Sequence, residues 1–136
     1  MPKLTIPGLN EDHSGTTLME MLVVIIIISI FAAVALPSFI RARENTLDKE
    51  AGTTLKLMQT AEKIFAMQNN GSYYSSSDMA LISDNLRIVL YTGGDRKWSY
   101  SCSSNGCAQA TRNGYDSRTW RLRIDETNAV AGSTCP

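Results

Sequence analysis

Few side chains in this sequence are of the types that carry out reactions, and their spacing excludes most reactions. The only histidine is His13, so nucleophile–base–acid arrangements built on imidazole have nothing to draw on further along the chain. The glycines are scattered among turns and form no phosphate-cradling loop. Asp78, Asp84, Asp95, Asp116 and Asp125 match no calcium-loop spacing and are expected to be solvated surface charges. Cys102, Cys107 and Cys135 contain no Cys-x-x-Cys pair and have no histidine nearby, which argues against zinc. Disulfide chemistry remains. Read as a four-residue turn, Ser103–Gly106 makes Cys102 and Cys107 direct cross-strand neighbours, within bonding reach. Joining Cys102 or Cys107 to Cys135 is the competing pairing, and one thiol is left over either way. The last group of interest is Glu20, a lone carboxylate placed immediately before a long apolar run.

That run positions Glu20. Every residue from Met21 to Leu36 is apolar except Ser29, and the 20 residues from Met21 to Ile40 carry no charge. As a helix they cover roughly 30 Å, the hydrocarbon thickness of a bilayer. A secretory signal competes with this reading, but it needs a small-residue cleavage site after its apolar core. Here Pro37, Phe39 and Ile40 follow instead. Pro37 lacks a backbone donor and disfavours helix at Leu36, so a kink or loosening is expected there. Glu20 reads either as an ordinary interfacial carboxylate or as a functional intramembrane charge.

Beyond Arg41 the helical pattern continues. Leu47, Ala51, Leu55, Met58, Ala61 and Phe65 form one amphipathic stripe, widened by Leu57, Ile64 and Met67. Glu62 falls among the charged residues assigned to the other faces. Gly52 costs about 1 kcal/mol relative to alanine without ending the helix. Asn69-Asn70-Gly71 is a stop signal. A continuous helix from Thr17 to Asn69 is about 80 Å long. Asp78 is placed to cap a short helix running to about Asn85, with Met79, Ile82 and Leu86 on one face. Strands are expected over Lys97–Cys102, Cys107–Arg112 and Thr119–Asp125, with a fourth from Ala129 toward Cys135. The fold class is α+β: a long N-terminal helix, membrane-spanning in its first half, packed on a small antiparallel sheet.

The 13 basic and 13 acidic side chains cancel. A neutral chain without a basic stretch is a poor partner for nucleic acid, where phosphate contacts dominate affinity. The 136 residues suit one domain plus an anchor, and clustered cysteines in a small domain suit an oxidising compartment.

Residues Ser14–Arg43, SGTTLMEMLVVIIIISIFAAVALPSFIRAR, resemble the N-terminal segment of type IV pilins and type II secretion pseudopilins. Gly15 stands where the family's leader ends. Thr17, Leu18, Met19 and Glu20 match its Thr-Leu-x-Glu run, and Pro37 falls at its internal proline. The chain departs from the pattern at Thr16, where phenylalanine is usual, and at Glu11 and Asp12, in a leader that is usually basic. The resemblance implies a leader over 1–15, a transmembrane and assembly helix over 16–40, and a pilin-like periplasmic or extracellular domain over 41–136 whose amphipathic helix covers about 41–69. It implies that a prepilin peptidase of the inner membrane cuts between Gly15 and Thr16 and methylates the Thr16 amine. Glu20 of one subunit would then neutralise that amine on its neighbour. The segment from about Ser29 to Pro37 would extend in a filament. Family members often close a C-terminal loop with a disulfide, as a bond from Cys102 or Cys107 to Cys135 would; the hairpin pairing Cys102–Cys107 is nonetheless the one expected, and some pseudopilins bind calcium in a C-terminal loop.

A count of positive charges, with Lys3 before the run and Arg41, Arg43 and Lys49 after it, places the C-terminal domain in the cytoplasm; the cysteines and the resemblance point outward. The implied function is a structural subunit of a type IV pilus-like filament serving adhesion, motility or DNA uptake. It would need no cofactor and contribute no catalytic residue. Its partners would be further copies of itself, minor pilins, the processing peptidase and the inner membrane, and its place the inner membrane and then the surface pilus or periplasmic pseudopilus of a bacterium. A secretion pseudopilin is the alternative within the family. A membrane-anchored binding module that never polymerises is the rival from another class, and needs neither Gly15 nor Glu20.

Overall fold

A computed structural model describes residues 15–114 and 116–136. The residues before Gly15, including Glu11, Asp12 and His13 of the expected leader, lie outside the described residues. The first helix, α1, runs over Leu18–Gln68. Its start is set by a capping arrangement: the Thr17 hydroxyl oxygen accepts the backbone N–H of Glu20 at 3.2 Å, half of the reciprocal Thr-x-x-Glu box that satisfies orphan amide groups of a first turn. Its end is set by Asn70 and Gly71, both at positive φ, a conformation that stops a helix and suits glycine. The helix passes through Pro37 unbroken. Leu36 and Pro37 are both helical, so the local bias of the X-Pro pair is outweighed by the helix-forming residues on either side.

The chain divides into two compact units, Met1–Arg41 and Ala42–Pro136. In the first, every described residue is exposed. This segment is long and apolar enough to cross a membrane.

The second unit holds the core. Its α1 segment buries Ala51, Leu55, Met58, Ala61, Glu62 and Ala66. Burial of Leu55 and Met58 contributes about 1.5–3 kcal/mol each on the transfer scale. Leu57, Ile64 and Met67 are exposed instead of widening the buried stripe. A second helix, α2, spans Met79–Leu86, and the Asp78 side chain accepts the Ala80 N–H at 2.9 Å as its N-cap. Met79, Ile82 and Leu86 are its buried face.

Four strands follow as an antiparallel meander in the order β1 (Trp98–Ser103), β2 (Cys107–Arg112), β3 (Thr119–Arg123) and β4 (Val130–Ala131). The inward face carries Trp98, Tyr100, Cys102, Ala108, Ala110 and Leu122, packed with the helices. Trp98 also donates its indole N–H to the Leu47 carbonyl at 3.0 Å. Phe65 and Tyr74 meet edge to face with centroids 5.5 Å apart, which brings the loop after α1 back onto the helix.

The β1–β2 turn corrects one expectation. Ser103 pairs with Cys107, so the loop is the three residues Ser104, Asn105 and Gly106, with Gly106 at φ 74° and its N–H bonded to Ser103 O at 3.0 Å. A three-residue loop closing on a left-handed glycine is a common hairpin geometry. Relative to a four-residue loop it shifts the pairing by one, which moves a side chain to the other face.

Candidate functional site

The device suggested by the sequence lies at the beginning of α1. Gly15 and Thr16 are exposed and precede the helix. A side chain added at Gly15 would meet nothing within 4 Å. Glu20 is in the first turn, where a carboxylate is favoured by the partial positive charge of the free amide groups. It is the only charged side chain between Thr16 and Ile40. The apolar surface that follows is bare in this chain: Leu22, Ile26, Ile30, Val34 and Phe39 are each roughly half exposed or more. Its one interior polar side chain before Pro37, Ser29, donates its hydroxyl to the Ile25 carbonyl at 2.6 Å and so presents no unmet donor. Gly15 and Thr16 thus lie just before α1 and Glu20 within its first turn. Pro37 lies seventeen positions beyond Glu20, inside the same helix.

The cysteines form the second feature. The bond joins Cys107 to Cys135, with Cα atoms 5.8 Å apart, and not Cys102 to Cys107. The corrected register explains why: Cys102 stands opposite Ala108 and faces the core, while Cys107 faces outward. The chain after β4 crosses that outer face. Ser133 accepts Arg121 Nε–H at 2.6 Å, and Cys135 donates its N–H to the Gln109 side-chain oxygen at 2.8 Å. Cys102 is left as a buried free thiol.

Sequence reasoning missed Glu62. It was assigned to an outer face of α1, yet it is 1% exposed. Its Oε2 accepts the Tyr74 N–H at 2.9 Å, while Oε1 has no hydrogen-bond partner among the described residues. Burial pushes the Glu62 carboxyl above its ordinary value, against smaller opposing effects of the Tyr74 N–H and the Cys102 thiol. The same environment raises Cys102, first by burial and then by the nearby Glu62 charge. One sequence signal was available: Glu62 falls one position after Ala61 and seven after Leu55, within the edge of the apolar stripe.

The aspartates considered for calcium are spread through the second unit. Asp78 caps α2, Asp95 accepts the Tyr91 hydroxyl, Asp116 pairs with Arg118, and Asp125 pairs with Arg123. Among the described residues, no three metal-ligating side chains converge. Arg118 also reaches Glu44 and Asp48 of α1, which ties the β2–β3 connection to the helix.

An exposed apolar helix whose first turn is capped by Thr17, followed by a helix-backed antiparallel meander, is a pilin-like arrangement. The chain is 43% identical over 56 residues to the type IV major pilin protein PilA of Myxococcus xanthus, covering 41% of this chain and 26% of that one. It is 37% identical over 77 residues to the type IV wide pilus major component PilA4 of Thermus thermophilus, covering 57% of each. It is 49% identical over 50 residues to the competence protein ComGC of Halalkalibacterium halodurans, covering 37% of this chain and 49% of that one. The matches span between about a quarter and somewhat over half of these curated relatives' lengths. No family profile and no solved structure matches the chain. The relatives it is similar to are two type IV pilins and a competence protein, and its α+β arrangement of a long apolar helix and a small antiparallel sheet is pilin-like.

Proposed function

We propose that this chain is a structural subunit of a type IV pilus-like filament, held in the inner membrane by the first part of α1 before assembly. The observation that carries the proposal is the bare apolar segment from Leu18 to Ile40 with Glu20 as its one charge. In a bilayer the segment satisfies its own backbone groups as a helix. In a filament the same surface is covered by the helices of other copies. Leader removal between Gly15 and Thr16 leaves an ammonium on Thr16, which is then methylated by the processing enzyme. A buried carboxylate or ammonium alone is costly, and a well-placed pair recovers much of that cost. Glu20 of one copy facing the Thr16 amine of the next therefore fixes register, since sliding breaks every pair at once. The chain acts as substrate of the processing step and as building material, with no reaction of its own.

A pseudopilin role is the second reading, supported by the similarity to a competence protein. The two differ in where the filament ends: at the cell surface for a pilus, within the envelope for a pseudopilus.

The test is intact mass of the membrane-extracted protein together with electron microscopy of sheared cells. A chain beginning at Thr16 with one added methyl group, and filaments in which this chain is the main band, are the expected results. A mature chain that still begins at Met1, or begins beyond Pro37, would sink the proposal.

A further inference from the structure

The connection between α1 and α2, residues 69–78, is fastened to three parts of the second unit. Its Tyr74 N–H donates to Glu62 Oε2 of α1 at 2.9 Å, and the Tyr74 ring meets Phe65 edge to face. Ser76 pairs with Cys102 of β1: the Ser76 N–H donates to the Cys102 carbonyl at 3.1 Å, and the Cys102 N–H to the Ser76 carbonyl at 2.8 Å. The Tyr73 ring lies against Gly106 in the β1–β2 turn, 3.1 Å from where a Cβ would stand. Since β2 takes the other side of β1, Ser76 sits on the free edge of the sheet. An open edge is a ready template for a strand of another chain, and this segment closes it at Cys102.

The fastening at Glu62 is the one that titrates. Glu62 is buried, and its Oε1 has no hydrogen-bond partner among the described residues. Few groups face it. The loop offers the Tyr74 N–H and β1 offers the Cys102 thiol. From α2 the core receives only Met79, Ile82 and Leu86. Lys63, beside it on α1, is exposed. Among the described residues, Glu62 thus has one amide donor and no cationic partner. Neutral, such a carboxyl is tolerated; ionised, it is costly without a paired cation. Opening of the loop admits water to it and leaves α1 and the β2–β3 pairing in place.

We infer that residues 72–77 form a strap latched by Glu62, closed on the β1 edge while that carboxyl is protonated and released when it ionises. The sign follows from burial, which raises the closed-state value above 4.5 and outweighs the Tyr74 N–H, a group that favours the charged form. With the strap lifted, Glu62 is hydrated and titrates near its ordinary value. The open fraction therefore rises with pH between 4.5 and the closed-state value, by up to roughly tenfold per pH unit, and is level above it. The latch works within one copy, assembled or free.

The test is amide hydrogen exchange on the full chain in detergent, from about pH 4 to about pH 8, with protection factors corrected for the intrinsic effect of pH. The Tyr74, Ser76 and Cys102 amides should lose protection as pH rises and then level off. The amides of β2, which is paired on both sides, should stay more strongly protected throughout. In Glu62→Gln, whose side-chain oxygen still accepts the Tyr74 N–H, protection at the three strap amides should not vary with pH. Level protection at these amides in the wild-type chain overturns the latch, and that measurement needs no variant to fold. Equal protection of strap and β2 amides at every pH also overturns it, since the unit then opens as a whole. A Gln variant that keeps the wild-type dependence assigns the titration to another group and overturns it as well. None of these outcomes bears on filament formation.

Discussion

Cys102 stands opposite Ala108 across the β1–β2 hairpin, and Cys107 stands opposite Ser103. One position of offset sends the first thiol into the core and the second to the outer face, where Cys135 meets it. Non-reducing peptide mapping should therefore recover a Cys107–Cys135 peptide, with Cys102 alkylated only after denaturation. Cys135→Ser should cost about 2–4 kcal/mol, the usual range for a native bond. A Cys102–Cys107 peptide would contradict the register itself.

Glu20 should govern assembly and leave the domain's fold alone. The residues of the core lie between Ala51 and Leu122, and Glu20 is exposed at the start of α1. Glu20→Gln keeps size and hydrogen bonding but removes charge. The expected result is normal monomer, normal leader cutting at Gly15 and a sharp fall in filaments, read by microscopy and mass. Full-length filaments at wild-type yield from this variant would exclude charge pairing as the source of register.

The stability of the domain should depend on pH through Glu62. Its folded-state carboxyl lies above the ordinary value of 4.5, chiefly through burial. The folded state thus holds the proton more tightly than the unfolded chain does. That contribution is complete below pH 4.5 and is lost as pH rises through the higher folded-state value. The groups facing it are the Tyr74 N–H from the loop after α1 and the Cys102 thiol from β1. Glu62→Gln should flatten this part of the unfolding-midpoint profile. Glu62→Leu should cost about 1–3 kcal/mol, because the Tyr74 N–H loses its acceptor. A wild-type profile that rises from pH 4.5 to 7 with an unchanged Gln variant would refute the assignment.

The α1 segment from Ser29 to Pro37 should be the first part of the helix to open. It is helical here, but the Pro37 nitrogen cannot bond back to the Ala33 carbonyl, which leaves one rung missing. Amide hydrogen exchange on the membrane-extracted chain should be faster over Ser29–Leu36 than over Leu18–Ile28. Equal protection along both stretches would mean that Pro37 imposes no weak point, and a filament map with unbroken helix there would agree.

Much of this was legible because the signals are local. The Asp78 cap, the Asn70-Gly71 stop and the alternation around Trp98 and Leu122 each depend on a few neighbouring residues, and each appears in the structure. The disulfide was not legible, because turn length within Ser103–Gly106 decides a register that composition alone leaves open. Glu62 was missed for a related reason. A carboxylate beside an apolar stripe reads as solvent-facing until one knows that a loop returns to offer it the Tyr74 N–H. The site at Gly15 and Glu20 came through resemblance, although Thr17 and Glu20 also form a capping pair that spacing alone could have revealed.

The position of the staple determines how the domain would carry tension. Cys107 and Cys135 both lie in the C-terminal third, so the covalent link reinforces the sheet against unravelling from its last strand. It does not couple the sheet to α1. Besides the connecting chain, a pull applied along that helix reaches the strands through burial and non-covalent ties that include Trp98 to the Leu47 carbonyl, Arg112 to Glu44, Arg118 to Glu44 and Asp48, and Gln59 to the carbonyls of Arg123 and Glu126. Under load, the sheet should shear away from the helix as one cross-linked piece, with the disulfide still intact inside it.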